Sequence, residues 1–116
     1  MHTPSAIPFL DEIVARLESI DPEKIILFGS QAEGRADPWS DLDLIVVTSD
    51  DRMPATYREK EEIYLQVSRL IRDIRQKIPI DLIVHTRPMH ERFLTMNSLF
   101  AQEVRERGLV LYEKDH

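Results

Sequence analysis

Ile25-Ile26-Leu27-Phe28-Gly29-Ser30, then ten residues, then Asp41-Leu42-Asp43-Leu44-Ile45-Val46-Val47, is the stretch from which the architecture can be read. Its first four residues form a short apolar run closed by glycine, the pattern of a buried strand. The interval from Ser30 to Ser40 is polar, with Gly34 and Pro38 as turn formers, and Ser30 is suited to start a short helical turn. Leu42, Leu44, Ile45, Val46 and Val47 make a second strand. Side chains alternate along a strand, so Asp41 and Asp43 share one face while Leu42 and Leu44 point to the other.

Working outward, Leu10, Ile13, Val14 and Leu17 recur at helical spacing, predicting an amphipathic helix over 7–19 that Asp21-Pro22 ends. Residues 50–54 form a loop. Ile63, Val67, Leu70, Ile71, Ile74 and Ile78 lie on one face of a single long helix predicted over 55–77. Pro79 stops it, and 80–85 reads as a third strand. Residues 89–107 read as helical with a break near Asn97-Ser98, Gly108 as a helix end, and 109–112 as a last short strand. The expected class is α+β in two layers: a small mixed β-sheet covered by helices, in one domain over residues 1–116.

Two carboxylates as close as Asp41 and Asp43 repel each other unless a cation lies between them. Hard divalent ions such as Mg²⁺ prefer oxygen ligands and also take substrate phosphates. Asp81, in Pro79-Ile80-Asp81-Leu82-Ile83, opens a strand with apolar neighbours, where an unpaired buried charge would cost several kcal/mol. A metal or a basic neighbour removes that cost. Three carboxylates can hold two metal ions about 4 Å apart, with Asp41 and Asp43 bridging them and Asp81 on the nucleophile's side. Gly29 lets backbone approach a phosphate closely, Ser30 adds a hydroxyl, and Arg35 can neutralise phosphate charge. Singly, a Gly-Ser is ordinarily a turn and an Asp-x-Asp an acidic edge; their conjunction in this order makes a nucleoside triphosphate site the better reading. His85 shares a strand face with Asp81 and could approach the site, yet a surface or satisfied histidine explains it better. Trp39 can stack on a base or pack on the domain. The charges around Arg58-Glu59-Lys60-Glu61-Glu62 read as a solvated helix face.

The chain has 116 residues, 42% hydrophobic and 31% charged, enough for one core. A formal net charge of −6 argues against broad nucleic-acid binding, which needs a basic face. With no cysteine there are no disulfides and no thiol catalysis or thiolate metal site. No run is long and apolar enough for a membrane span and no leader pattern opens the chain, so a cytoplasmic protein with no membrane contact is expected.

At Gly29-Ser30, Asp41-Leu42-Asp43 and Asp81 the chain resembles the minimal nucleotidyltransferases of the DNA polymerase β superfamily, and the antitoxins of HEPN–MNT toxin–antitoxin pairs in particular. The resemblance extends to the closing Gly108-Leu109-Val110-Leu111-Tyr112-Glu113. It implies attack of a hydroxyl on the α-phosphate of ATP with two Mg²⁺ ions. Gly29 and Ser30 would hold the β and γ phosphates, Asp41 and Asp43 both metals, and Asp81 the nucleophile-side metal. It further implies AMP transfer to a tyrosine of a HEPN ribonuclease toxin in a hetero-oligomer. Family members often carry arginines just after Gly-Ser, where this chain has Gln31 and Glu33. The chain's size leaves little room for elements that grip an acceptor, so a partner protein is expected to supply docking. Phe93, Leu94, Met96, Leu99 and Phe100 serve either core or interface. Two other readings stand beside this one: a binding module that neutralises a partner by contact, and transfer to a small molecule or RNA end.

Overall fold

β1 (Lys24–Phe28) pairs antiparallel with β2 (Leu42–Val47), and β2 pairs parallel with β3 (Ile80–His85). β4 (Leu109–Glu113) joins the other side of β1, antiparallel, to give the order β3-β2-β1-β4. The computed structural model describes residues 7–32 and 41–115. Glu33, Gly34, Arg35, Pro38 and Trp39 lie outside the described residues, as do the side chains of Ser30 and Gln31.

The parallel pair needs a crossover, and the segment with the strongest helical periodicity supplies it. It comprises α3 (Tyr57–Ser68), a 3₁₀ turn (Arg69–Ile71) and α4 (Arg72–Arg75). The single helix predicted over 55–77 is therefore interrupted. Arg16, on α1 (Ile7–Leu17), donates from Nη1 to the Leu70 carbonyl at 3.2 Å and pairs with Asp73, so that carbonyl serves a neighbouring helix. Ile71 and Ile74 stay buried across the break, keeping the apolar face on the sheet. Arg75 ties α4 back to α3 through Tyr64 Oη at 2.9 Å and Ser68 Oγ at 3.0 Å.

Helices cover both faces of the sheet. Ile25, Leu27, Leu44, Val46 and Leu82 pack against Ile13 and Leu17 of α1 and Ile63 and Val67 of α3. Ile26, Phe28, Ile45 and Val47 pack against Phe93 of α5 (Arg87–Thr95) and Ala101 and Val104 of α6 (Leu99–Arg107). Strands buried on both sides explain why β1 and β2 read as nearly continuous apolar runs. The expected break near Asn97-Ser98 is present: Ser98 caps α6, accepting from the Ala101 N–H at 3.1 Å. A 3₁₀ turn (Glu18–Ile20) follows α1.

Gly108 ends α6 with φ −67°, a conformation open to any residue, so its constraint is space. A Cβ there would stand 2.6 Å from the Val104 carbonyl oxygen and 2.9 Å from Ile26 Cγ2. The carbonyl is backbone and cannot swing aside. Gly108→Ala is expected to destabilise by about 1–3 kcal/mol, measured by urea unfolding. An unchanged midpoint would mean that α6 has room to shift off β1.

Candidate functional site

The register of the strands assembles the acidic residues. Phe28, the last residue of β1, faces Asp43 across the antiparallel pair, and Asp43 faces Asp81 across the parallel one. Neighbouring strands lie about 4.8 Å apart, so the two aspartates are adjacent on one face of the sheet. Asp41 immediately precedes β2, two residues before Asp43 and exposed. Gly29 opens the short helix α2 (Gly29–Ala32), with Ser30 as its second residue.

Gly29 and Asp43 are in close contact. Gly29 has φ +76°, and a Cβ on it would stand 2.3 Å from Asp43 Oδ2. The turn between β1 and α2 thus takes a conformation that glycine adopts without strain, and the hydrogen in place of a side chain admits the carboxylate.

Burial, followed by the charges of Asp81, Asp41 and Glu103, pushes the Asp43 carboxyl up to about 6 from the ordinary 3.8. The burial penalty expected at Asp81 falls instead on Asp43: Asp81 is exposed and Asp43 half-buried. Glu103, on α6, escaped the sequence reading. Phe100, Glu103 and Val104 share a helix face, and Phe100 meets the Phe28 ring edge-on at 5.3 Å, so α6 delivers Glu103 beside the acidic strand ends. A helix face was the available signal, but its sheet partner was not.

With a raised carboxyl pKa, the Asp43 contribution to stability is full below the unfolded value near 4 and is lost as pH rises through about 6. Asp43→Asn should therefore melt above the wild type at pH 8 in the absence of divalent ions, by about 1 kcal/mol after allowance for solvent screening. The gap should close towards pH 4. A pH-independent difference would mean that neither burial nor the neighbouring carboxylates raise this group.

His85 lies on the Asp81 face at the other end of β3, and its Nδ1 is 3.1 Å from Nδ1 of His90. Burial first, then His90 and Lys60, depresses His85 to about 4, and burial followed by Lys24 depresses His90 likewise. Both rings are neutral at pH 7 and pack around Phe93. The structure places His85 in this aromatic cluster, apart from the aspartates.

Among the described residues no three carboxylates or imidazoles converge to hold one ion. Asp41, Asp43 and Asp81 are neighbours through register and chain proximity. Their oxygen donors suit a hard divalent cation, which would relieve the repulsion felt by Asp43.

A family model described as the nucleotidyltransferase domain matches residues 10–100, which span β1, β2, the crossover and β3. The chain belongs to the nucleotidyltransferase domain family. Solved structures agree in fold. A toxin–antitoxin solved with AMP-PNP matches with a TM-score of 0.55 and 20% identity, over 90% of this chain and 73% of that one. A Sulfolobus solfataricus protein assigned as a nucleotidyltransferase also gives 0.55 at 20% identity, over 97% and 90% of the two chains. The toxin–antitoxin MntA–HpeT, as a mutant, gives 0.51 at 19% identity, over 91% and 73%. No curated protein sequence matches significantly. The nucleotidyltransferase domain here keeps the mixed sheet and its flanking helices, and no helix of its described residues is long and apolar enough to cross a membrane.

Proposed function

We propose that this nucleotidyltransferase domain uses Mg²⁺ to move AMP from ATP onto a hydroxyl of a partner protein, a tyrosine of a HEPN ribonuclease toxin, and so acts as its antitoxin. One observation carries the reading: Asp43 is seated against Gly29 at the end of β1 and opposite Asp81 in the parallel register. Similarity in fold to a toxin–antitoxin with AMP-PNP supports the nucleotide and the class of partner. The lack of cysteine fits a reducing cytoplasm.

In this reading Gly29 and Ser30 receive the β and γ phosphates, and Arg35 offsets their charge. Asp41 and Asp43 would hold two metal ions, and Asp81 the one on the nucleophile's side. Magnesium, when bound, neutralises triphosphate charge and acidifies the acceptor hydroxyl. The acceptor oxygen bonds to the α-phosphorus as the bond from that phosphorus to the β-bridging oxygen breaks. Pyrophosphate leaves, and the hydroxyl proton passes to an Asp81 carboxylate oxygen and on to water.

The test is incubation of the protein and its partner with ATP labelled at the α or the γ position. Label on the partner from α alone supports AMP transfer; label from γ alone would mean phosphoryl transfer and overturn the reading. A second reading, neutralisation by contact, draws support from Leu99 and Met96, which are 85% and 50% exposed. On that reading Asp41→Asn protein neutralises the partner as well as the wild type does.

A further inference from the structure

β3 is an edge strand: among the described residues it pairs with β2 alone. The Leu42 N–H donates to the Pro79 carbonyl at 3.0 Å and the Thr48 N–H to the His85 carbonyl at 2.8 Å. In a parallel ladder, alternate residues bond to the same neighbour. Asp81, Ile83 and His85 therefore turn their backbone groups to β2, whereas Leu82 and Val84 turn theirs outward.

That open edge is the floor of a groove. Residues 82–85 line one cleft of about 250 Å³ with Lys60 and Tyr64 of α3 and Met89 of α5. Side chains alternate between sheet faces, so four consecutive residues line one groove only where it runs along the strand's edge. Lys60, His85 and Met89 also line a second cleft, of about 350 Å³, which adds Arg92, Met53 and Met96. Among the described residues no carboxylate lines either cleft, and both exposed charges, Lys60 and Arg92, are positive, on a chain of net charge −6.

We infer that the free edge of β3 receives the acceptor protein as an extended acidic segment, added to the sheet as a fifth strand. Main-chain bonds to Leu82 and Val84 hold the segment, Lys60 and Arg92 select its acidic side chains, and the methionines accommodate apolar ones. Asp81 lies on the same strand, one residue before Leu82. A hydroxyl-bearing residue of the added strand opposite Asp81 is thereby delivered to the acidic cluster. The inference rests on the acceptor being a protein; binding measured without ATP separates the docking claim from the transfer claim.

The probe is a short synthetic peptide of alternating glutamate and valine around one tyrosine, titrated into nucleotide-free protein. The amides of Leu82 and Val84 should gain protection from hydrogen exchange. N-methylation of alternate peptide amides removes several main-chain bonds and should weaken binding by about tenfold or more. The double variant Lys60→Glu, Arg92→Glu should weaken the acidic peptide by about tenfold and favour its lysine counterpart. No measurable binding, equal binding of the N-methylated peptide, or a preference of wild type for the lysine peptide would each overturn the inference. Protection of the same two amides in protein alone, with dimerisation, would assign the edge to a second copy and overturn it as well.

Discussion

Asp43→Asn is expected to fold, to melt no lower than the wild type at neutral pH, and to transfer no detectable nucleotide. Asparagine keeps the shape of the side chain and removes its charge. Asp43 is the carboxylate that links both halves of the site: it lies against Gly29 in the turn after β1 and opposite Asp81 in the parallel register. If it holds both ions, its loss removes several kcal/mol of charge stabilisation, and every 1.36 kcal/mol is tenfold in rate. The expected loss is therefore about 10³-fold or more, read as AMP incorporated per minute with both proteins at the same concentration. Activity within tenfold of wild type, in a protein with unchanged melting, would remove Asp43 from the metal site.

The second large effect is expected at Gly29. Alanine there places a Cβ where Asp43 Oδ2 now lies, at 2.3 Å, in a backbone with φ +76°. The two penalties differ in kind. Positive φ costs about 1–2 kcal/mol for a non-glycine residue and acts on stability. The steric conflict is with the far end of a side chain that can rotate, so the fold absorbs it and the site does not. Gly29→Ala should thus lose only several degrees in melting temperature but about 10²-fold in transfer, since an ångström's displacement of a catalytic group costs on that order. A variant that loses stability and keeps its rate would mean that the Asp43 carboxylate can rotate without consequence.

Most of the sheet was legible because its strands are short apolar runs bounded by Gly29, Pro79 and Gly108, and β1 and β2 are buried on both faces. The break before α6 was legible from Asn97-Ser98, where Ser98 does cap the next helix. The interruption of the crossover helix was not. At the break the Leu70 carbonyl accepts a long-range bond from Arg16, and local periodicity carries no trace of such a partner. The same division holds at the site. Gly29, Asp41, Asp43 and Asp81 are named by spacing, whereas Glu103 enters through the docking of α6 on β1. Phe93 and Phe100 were ambiguous as core or surface; Phe93 is buried, while Phe100 packs on Phe28 and Phe93 and stays 37% exposed. Which face of α6 meets the sheet is a tertiary fact.

Parallel pairing also has a bearing on time. β1 and β2 are consecutive strands with only α2 and the stretch to residue 41 between them, but Asp81 reaches Asp43 only after α3 and α4 have carried the chain across the sheet. Such non-local closure loses loop entropy before any contact rewards it, and is slow compared with hairpin formation. On a ribosome, the β1–β2 half can assemble while β3 is still being made. The third carboxylate, Asp81, then joins Asp43 only once the crossover has closed, so the acidic cluster is completed later than the pairing of β1 with β2.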